Sequence, residues 1–466
     1  MADTKSSLVN KSEETQMISA LAHNGRRWFG SFRQQVTDIG DHQALIDYLS
    51  DSRLDIVCRD HHALIGLTVW LACHCIVNKL ELPKVSARGS TLGLEFGGLG
   101  WRKWKIHTGR SRISDSAAER AAGPRPHGSP EQALWAELVK DRWTECINDL
   151  GLKPRTSAAT TALGLLPANW IRASKRLGAS EPWKEIRQAY YGGRVQCFQK
   201  YSGHAVEHDL KNAYGSAMVG CFGYLPDWKV YEGRPRWCRQ PGWVDATIKV
   251  RDGCQFAPLP RRNPDRPWQI LWPKQGTWRG WYCWHELQSK DVQILKVHKA
   301  HSGRWDHVLH QPVRSLLQRS HDPFAKAVAK QLVVSFAGKL AQVPVGWRIW
   351  SPTDDWSLCP TTVYTFHGPE GGSIDLYQST PTHVSPSFLP QVASYITART
   401  RCELRDNLNR AGQSAIYCDT DSIHHTDDWT PPNEGNALGQ WTKKESGHAR
   451  YFGRRHYFIG SKRVGC

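Results

Sequence analysis

Ser414-Ala-Ile-Tyr-Cys-Asp-Thr-Asp-Ser-Ile-His-His-Thr426 carries two aspartates, Asp419 and Asp421, between two β-prone runs. Ala415, Ile416 and Tyr417 lead in and a second run follows at once, which predicts a tight hairpin with carboxylates at its tip. Two acids that close repel each other. A divalent cation relieves the repulsion, because Mg²⁺ takes one or two carboxylates together with substrate phosphates. A solvated Asx-type turn would use the same residues, so the rest of the chain has to decide.

The chain has 466 residues, enough for two or three domains with their own cores. Lys and Arg number 61 against 43 Asp and Glu, giving +18 and a pI near 9.4. An excess spread along the chain is the footprint of a polyanion partner, nucleic acid first. A purely architectural protein would be equally basic. Residues 1–25 are polar, predicted to be disordered, and lack a secretory core. The longest apolar run, Ala63 to Val77, contains His74 and predicts a buried helix rather than a membrane span. The 13 cysteines include no CxxC pair, and Cys73-His74-Cys75 alone cannot complete a zinc site, which predicts reduced thiols in an intracellular protein.

Between Trp28 and Ala87 a mixed helix and strand pattern predicts one small domain. Trp101-Arg-Lys-Trp-Lys105 interleaves indoles with cations, suited to gripping nucleic acid or to an exposed strand. Residues 108–128 read as a linker or mobile loop. A helix starts at Ser129, with Pro130 at its first position and Leu134, Leu138 and Ile147 on the predicted buried face, and stops at Gly151. Ala205 to Asp209 favours a strand with Asp209 at its end; alternation puts Glu207 on the same face, and Tyr214 follows. The next hundred residues are rich in Trp, Pro and Arg, as an insertion of short strands would be, with the tryptophans mainly core. Asp322 then caps, and Pro323 opens, a helix whose Phe324, Val328, Leu332 and Phe336 face a core. Lys326, Lys330, Val333 and Ala337 share a different face, where two lysines a turn apart can clamp a triphosphate or simply be solvated. An amphipathic helix carrying Phe388, Val392, Tyr395, Ile396 and Leu404 precedes the acidic hairpin. After it come Leu438-Gly-Gln-Trp441 and the cation-rich Ala449 to Tyr457.

Asp209 with Tyr214, the lysine helix, and Tyr417-Cys-Asp-Thr-Asp-Ser422, in that order, resemble motifs A, B and C of family B DNA polymerases. The resemblance is to the protein-primed branch: Tyr190-Tyr-Gly-Gly193 stands in the place of its YxGG/A motif and Arg455-His-Tyr457 in that of its KxY motif, covering roughly residues 129 to 459. It implies an α+β right-hand fold with an antiparallel-sheet palm, helical fingers and an N-terminal exonuclease-like α/β domain. The implied division is 26–150 exonuclease-like, 151–219 linker and first palm segment, 220–317 insertion, 318–341 fingers helix, 342–385 second insertion, and 386–466 palm.

By resemblance, Asp209, Asp419 and Asp421 would hold two Mg²⁺ ions, with Mn²⁺ as a substitute. Tyr214 would lie under the sugar of the incoming dNTP, with Lys326, Lys330, Ser335 and Gly338 around the nucleotide. Tyr190, Gly192 and Gly193 would meet the template strand, and Arg455 and Tyr457 the primer terminus. The implied partners are template and primer DNA, dNTPs and a terminal protein bound by the insertions, in a virus or linear plasmid.

The chain departs from the pattern in several places. Val334 and Ala337 replace the polar and ring residues of motif B, and Gly215 and Arg455 replace a proline and a lysine. The exonuclease acids are not found: two of their places fall near Ala63 and Ala136, with Asp60 and Glu137 close by, which predicts no proofreading. The chain ends where the family's thumb would begin, which predicts a thumb that is missing, supplied by a partner, or lost from a shortened reading frame. The alternative is a polymerase-derived nucleic-acid-binding protein with little catalysis. Reverse transcription fits less well, because Thr420 separates two aspartates that are adjacent in those enzymes.

Overall fold

The computed structural model describes residues 20–23, 28–32, 35–40, 45, 55–58, 67, 70–71, 84–88, 91–96, 104–108 and 115–126, and, from 129 to 465, all but 156–157, 169–180, 221–222, 225–228, 234–241, 267–268, 303–304, 343–345, 350–362, 368–372, 380–387 and 427. These form two units: residues 1–161, 319–331 and 344–382, and residues 162–318, 332–343 and 383–466.

In the first unit β1 (Ala20–His23), β2 (Trp28–Phe32), β3 (Gln35–Gly40), β4 (Asp55–Cys58), β5 (Lys84–Arg88), β6 (Thr91–Phe96) and β7 (Trp104–Thr108) build one sheet in the order β3-β2-β1-β4-β7-β6-β5. The β1-β4 and β4-β7 pairs are parallel and the others antiparallel. β1 falls inside the segment expected to be disordered, since its Ala-Leu-Ala run pairs on both sides. Helix α1 (Asp115–Ala122) corrects the expectation of a loop over 108–128. Its four alanines and charged residues favour helix, and Gly123, at φ 77°, ends it by bonding Glu119 O. Helix α2 (Ser129–Asp149) lies against β1 and β2. Its buried face is Trp135, Val139, Trp143 and Ile147; Leu134 and Leu138 are only half-buried, the bulkier tryptophans having set the rotation. Asp60, Ala63 and Trp101 lie outside the described residues. A three-stranded antiparallel sheet of β18 (Gly346–Ile349), β19 (Val363–His367) and β20 (Ser373–Ser379) completes this unit.

The second unit is built on β8 (Val195–Cys197), β9 (Tyr201–Leu210), β21 (Ala415–Asp419), β22 (Ser422–His425), β23 (Trp441–Gly453), β24 (His456–Ile459) and β25 (Lys462–Val464). They pair antiparallel in the order β25-β24-β23-β9-β22-β21-β8. One face buries Leu210, Cys418, Ile423 and Trp441 against Leu404 and Leu408 of a long helix; the other buries Tyr417, Tyr451, Tyr457 and Ile459. Between β9 and that helix come β10 (Gly223–Tyr224), β11 (Lys229–Glu232), β12 (Trp243–Val250), β13 (Arg261–Arg262), β14 (Ile270–Leu271), β15 (Gly276–Cys283), β16 (Val292–Ser302) and β17 (Trp305–Asp306). Four of these make the antiparallel sheet β11-β16-β12-β15, in which Trp243, Trp278 and Trp281 are buried as expected, as is Trp284 just after β15.

The remaining helices are α3 (Ala158–Ala162), α4 (Glu181–Arg187), α5 (Ala213–Val219), α6 (His310–Arg319), α7 (Pro323–Leu340) and α8 (Pro390–Ala411). α7 contributes residues 323–331 to the first unit and 332–340 to the second. Asp322 caps it, its Oδ1 accepting the Phe324 and Ala325 N–H groups at 2.8 and 2.9 Å, which hold its pKa down. Phe324, Val328, Leu332 and Phe336 are buried, as the spacing requires. α8 differs from its expected amphipathic form, being buried on nearly every side. Its polar residues satisfy themselves: Thr397 and Thr400 bond Ala393 O and Ile396 O, and Ser394 accepts the Trp243 indole N–H. Among the described residues no helix is long and apolar enough to cross a membrane.

Candidate active site

Asp419 ends β21 and Ser422 begins β22, leaving Thr420 and Asp421 as a two-residue turn. Asp419 pairs with Ser422, and Ser422 pairs in turn with Asp209 near the end of β9. Cross-strand partners share a face. Asp209, Ser422 and Asp419 therefore form a row across three strands, Asp209 and Asp419 two strand spacings apart, on the order of 10 Å between Cα atoms. Asp421 is tied to the same place, since its carbonyl accepts the Leu210 N–H at 2.8 Å. Asp209 and the Asp419–Asp421 pair, about 210 residues apart in sequence, thus sit at one end of one sheet.

The Asp419 carboxylate is 30% exposed and partly answered by neighbours. Thr420 Oγ1 donates to its Oδ1 at 3.0 Å, the Tyr417 hydroxyl to its Oδ2 at 3.4 Å, and Arg455 Nε lies 3.5 Å from Oδ2. Burial and the nearby Asp419 charge push the Tyr417 hydroxyl pKa up. Tyr214, at the start of α5, is half-buried and pushed up to about 12 by burial, then by Tyr190, Asp421 and Asp419. Tyr214 follows closely on β9, whose end carries Asp209.

The loop Tyr190–Gly193 is fixed against the hairpin. A Cβ on Gly193 would come within 2.6 Å of Thr420 Cγ2, and the Thr420 N–H bonds Arg194 O at 2.7 Å. Gly193 is thus needed for packing inside the protein, whereas a Cβ on Gly192 would meet open space. Tyr190 is half-buried; Tyr191 is buried and stacked on Tyr282 at 5.7 Å. Arg401 of α8 donates from Nη1 to Tyr191 O at 2.6 Å and Gly192 O at 3.3 Å. Its Nε and Nη2 donate to Glu286 Oε1 at 2.9 and 2.8 Å. Arg262 donates to Tyr190 O at 2.9 Å, and buried Arg194 donates to Ala257 O at 3.0 Å beneath the Trp272 ring. Sequence reading missed Glu286 and these three arginines; the excess of basic residues was their only trace.

Arg455 lies in the β23-β24 turn at φ 55°, exposed apart from Asp419. Tyr457 is buried, its ring 5.2 Å from Tyr451 and 4.9 Å from Tyr417, so it anchors the hairpin rather than presenting a free surface. Glu207 is also buried, with Lys462 Nζ 2.6 and 2.8 Å from its oxygens. Lys326 and Lys330 belong to the first unit and are exposed one turn apart on α7. Val334, the next residue on that row, is 47% exposed, while Val333 and Ala337 are buried. Ala337 and the lysines thus do not share a face, because Ala337 turns with the apolar side. Ser335 and Gly338 are half-buried, and a Cβ on Gly338 would meet nothing within 4 Å. A Cβ on Gly215 would lie 3.3 Å from Leu317 and 3.6 Å from Val333, so glycine lets α5 pack closely there.

Among the described residues no three His, Cys, Asp or Glu side chains form a ready-made metal cage. The aspartates supply hard oxygen donors of the kind that suit Mg²⁺, an ion that keeps waters and completes its shell from phosphates.

No protein-family model and no curated protein matches the chain. Solved structures do. Phi29 DNA polymerase complexed with primer-template DNA and incoming nucleotide substrates superposes with a TM-score of 0.69 at 15% identity, covering 97% of this chain and 89% of that one. Its binary complex with primer-template DNA gives 0.67 at 14% identity, covering 97% and 88%, and its orthorhombic crystal form gives 0.66 at 15%, covering 95% and 88%. At this identity the likeness establishes a shared fold, mixed helix and antiparallel sheet, and leaves activity to be argued from the site.

Proposed function

We propose that the chain is a DNA-directed DNA polymerase of the protein-primed family B kind. The observation that carries this reading is the cross-strand row of Asp209 and Asp419 with Asp421 in the adjoining turn. It lies in a chain whose fold resembles a DNA polymerase over 97% of its length. Asp209, Asp419 and Asp421 would hold Mg²⁺, or Mn²⁺ in its place, together with the nucleotide's phosphates. The bound ions would supply charge neutralisation at the transferring phosphoryl and a more acidic primer hydroxyl.

The protein's own share is positioning. Tyr214, close after β9, supports the sugar of a dNTP. Lys326 and Lys330 bring charge to its triphosphate, Ser335 and Gly338 leave room beside it, and Gly192 lets a template phosphate approach the backbone. Arg455 relieves the acid repulsion and meets the primer strand; Tyr457 fixes the hairpin that carries it. In this reading 26–150 is the exonuclease-like domain, without proofreading, and the insertions 220–317 and 342–385 receive a terminal protein. The palm is 151–219 with 386–466, the fingers 318–341, and replication inside a cell by a virus or linear plasmid is the setting.

Primer extension with Mg²⁺ or Mn²⁺, on DNA and RNA templates, tests the reading by comparing the wild type with Asp419→Ala/Asp421→Ala. Extension by the wild type alone supports it. Binding without extension in both would favour the nucleic-acid-binding reading, which the Arg455 contact to Asp419 and the apolar Val334 motivate. Metal-dependent loss of a single-stranded 3′ end that survives Asp419→Ala would contradict the absence of proofreading.

A further inference from the structure

We propose that the tip of the β23-β24 hairpin is a stacking site for an unpaired base of single-stranded nucleic acid, centred on Phe452. Tyr451 pairs with Tyr457 and Gly453 with His456, so Phe452 is the extra residue of a β-bulge with no partner on the facing strand. Bulges re-aim a side chain. This one leaves Phe452 42% exposed, while Tyr451 and Tyr457 on either side of the register are buried and hold it rigidly. Among the described residues Phe452 is the aromatic member of a short set of markedly exposed large apolar side chains.

Its surroundings select the occupant. The Arg450 guanidinium lies 5.0 Å from the ring centroid and the His456 ring 5.0 Å away at 36°. Arg454 and Arg455 form the exposed turn, and no carboxylate occurs from His448 to His456. An exposed ring bordered by arginines repels a basic partner, is disfavoured against a purely apolar one by the cost of desolvating the cations, and suits a base with its phosphates, since ring stacking tolerates every base and the arginines meet the backbone. Arg455 also reaches Asp419, so the platform lies one turn from the acid row.

This inference rests on the chain binding nucleic acid but not on its adding nucleotides, and its test omits catalysis. An oligodeoxynucleotide carrying 2-aminopurine is titrated with the full chain in EDTA. The expected results are quenched emission, affinity about tenfold weaker for Phe452→Ala and for Phe452→Leu, and recovery with Phe452→Trp. Blunt duplex should bind Phe452→Ala as well as it binds the wild type. Single-strand affinity unchanged in both Ala and Leu variants would overturn the proposal, as would an equal loss for blunt duplex. Loss of self-association in Phe452→Ala with unchanged single-strand affinity would reassign the ring to a protein contact. Absence of primer extension, by contrast, would defeat only the polymerase reading.

Discussion

Two charged centres of the second unit follow opposite rules. Behind the Tyr190–Gly193 loop, Arg401 and Glu286 are buried, opposite in sign and joined by two hydrogen bonds, with the remaining guanidinium nitrogen spent on loop carbonyls. At the tip of β21 and β22 Asp419 and Asp421 share one turn, with Asp209 in the same row two strands away, all in partial contact with solvent and with Arg455 the cation at Asp419. Burying a pair costs desolvation that only good geometry offsets, so the first centre makes sense as architecture. Keeping like charges together costs repulsion that no packing returns. The second makes sense if a cationic ligand arrives.

Substitutions should separate the two centres. The largest effect is expected at the acids: Asp421→Ala or Asp209→Ala should lower nucleotide addition by on the order of 10³ or more, while urea unfolding shows stability unchanged or raised. Undiminished extension would break the contrast. Glu286→Ala should act the other way, leaving Arg401 buried without its partner and costing about 3–5 kcal/mol in urea unfolding. Glu286→Leu with Arg401→Met should recover much of that loss if the pair is structural.

A smaller effect is expected where the centres meet. Gly193→Ala drives a methyl into Thr420 and should cost about 1–3 kcal/mol, with recovery when Thr420→Gly is added. Thr420 sits at φ 58°, in the left-handed region that a β-branched residue tolerates poorly, so Thr420→Gly alone should stabilise the fold. The mildest effect concerns acid. His285, beside Arg399, Arg401 and Arg405, is pushed down to about 3, mainly by burial and then by those arginines. An unfolded histidine takes its proton near pH 6.5, and the folded one only near 3, so the unfolded chain binds more protons in between. Stability should therefore fall as pH drops from about 6.5 toward 3. His285→Gln should flatten that slope in urea midpoints measured across the window; an unchanged slope would place the acid sensitivity elsewhere, for instance at His424, also pushed down to about 3.

The acid row was legible because its parts are local: a hairpin with Asp419 and Asp421 in five residues of pattern, and a strand ending near Asp209. α7 was legible from its cap and its four-residue apolar spacing. The supports were not. Arg401 lies on a helix whose polar residues are satisfied inward, so alternation of apolar and polar residues carries no sign of its burial. Helix α1 was hidden by the Ser, Arg and Pro around it, and β1 by the polar residues that precede it. The rotation of α2 turned on Trp135 and Trp143, whose size outweighed Leu134 and Leu138. Tyr457 reads as a surface aromatic from its cationic neighbours, yet cross-strand partners bury it.

The burial of α8 on nearly every side bears on how the protein opens. Local unfolding starts where few apolar contacts hold the backbone, and amides exchange slowest where release requires the whole unit to come apart. Leu404, Leu408 and the surrounding side chains of α8 pack beneath β21 and β22. Deuterium should reach the helix amides last, so the platform under the aspartates would persist while outlying strands fray and re-form.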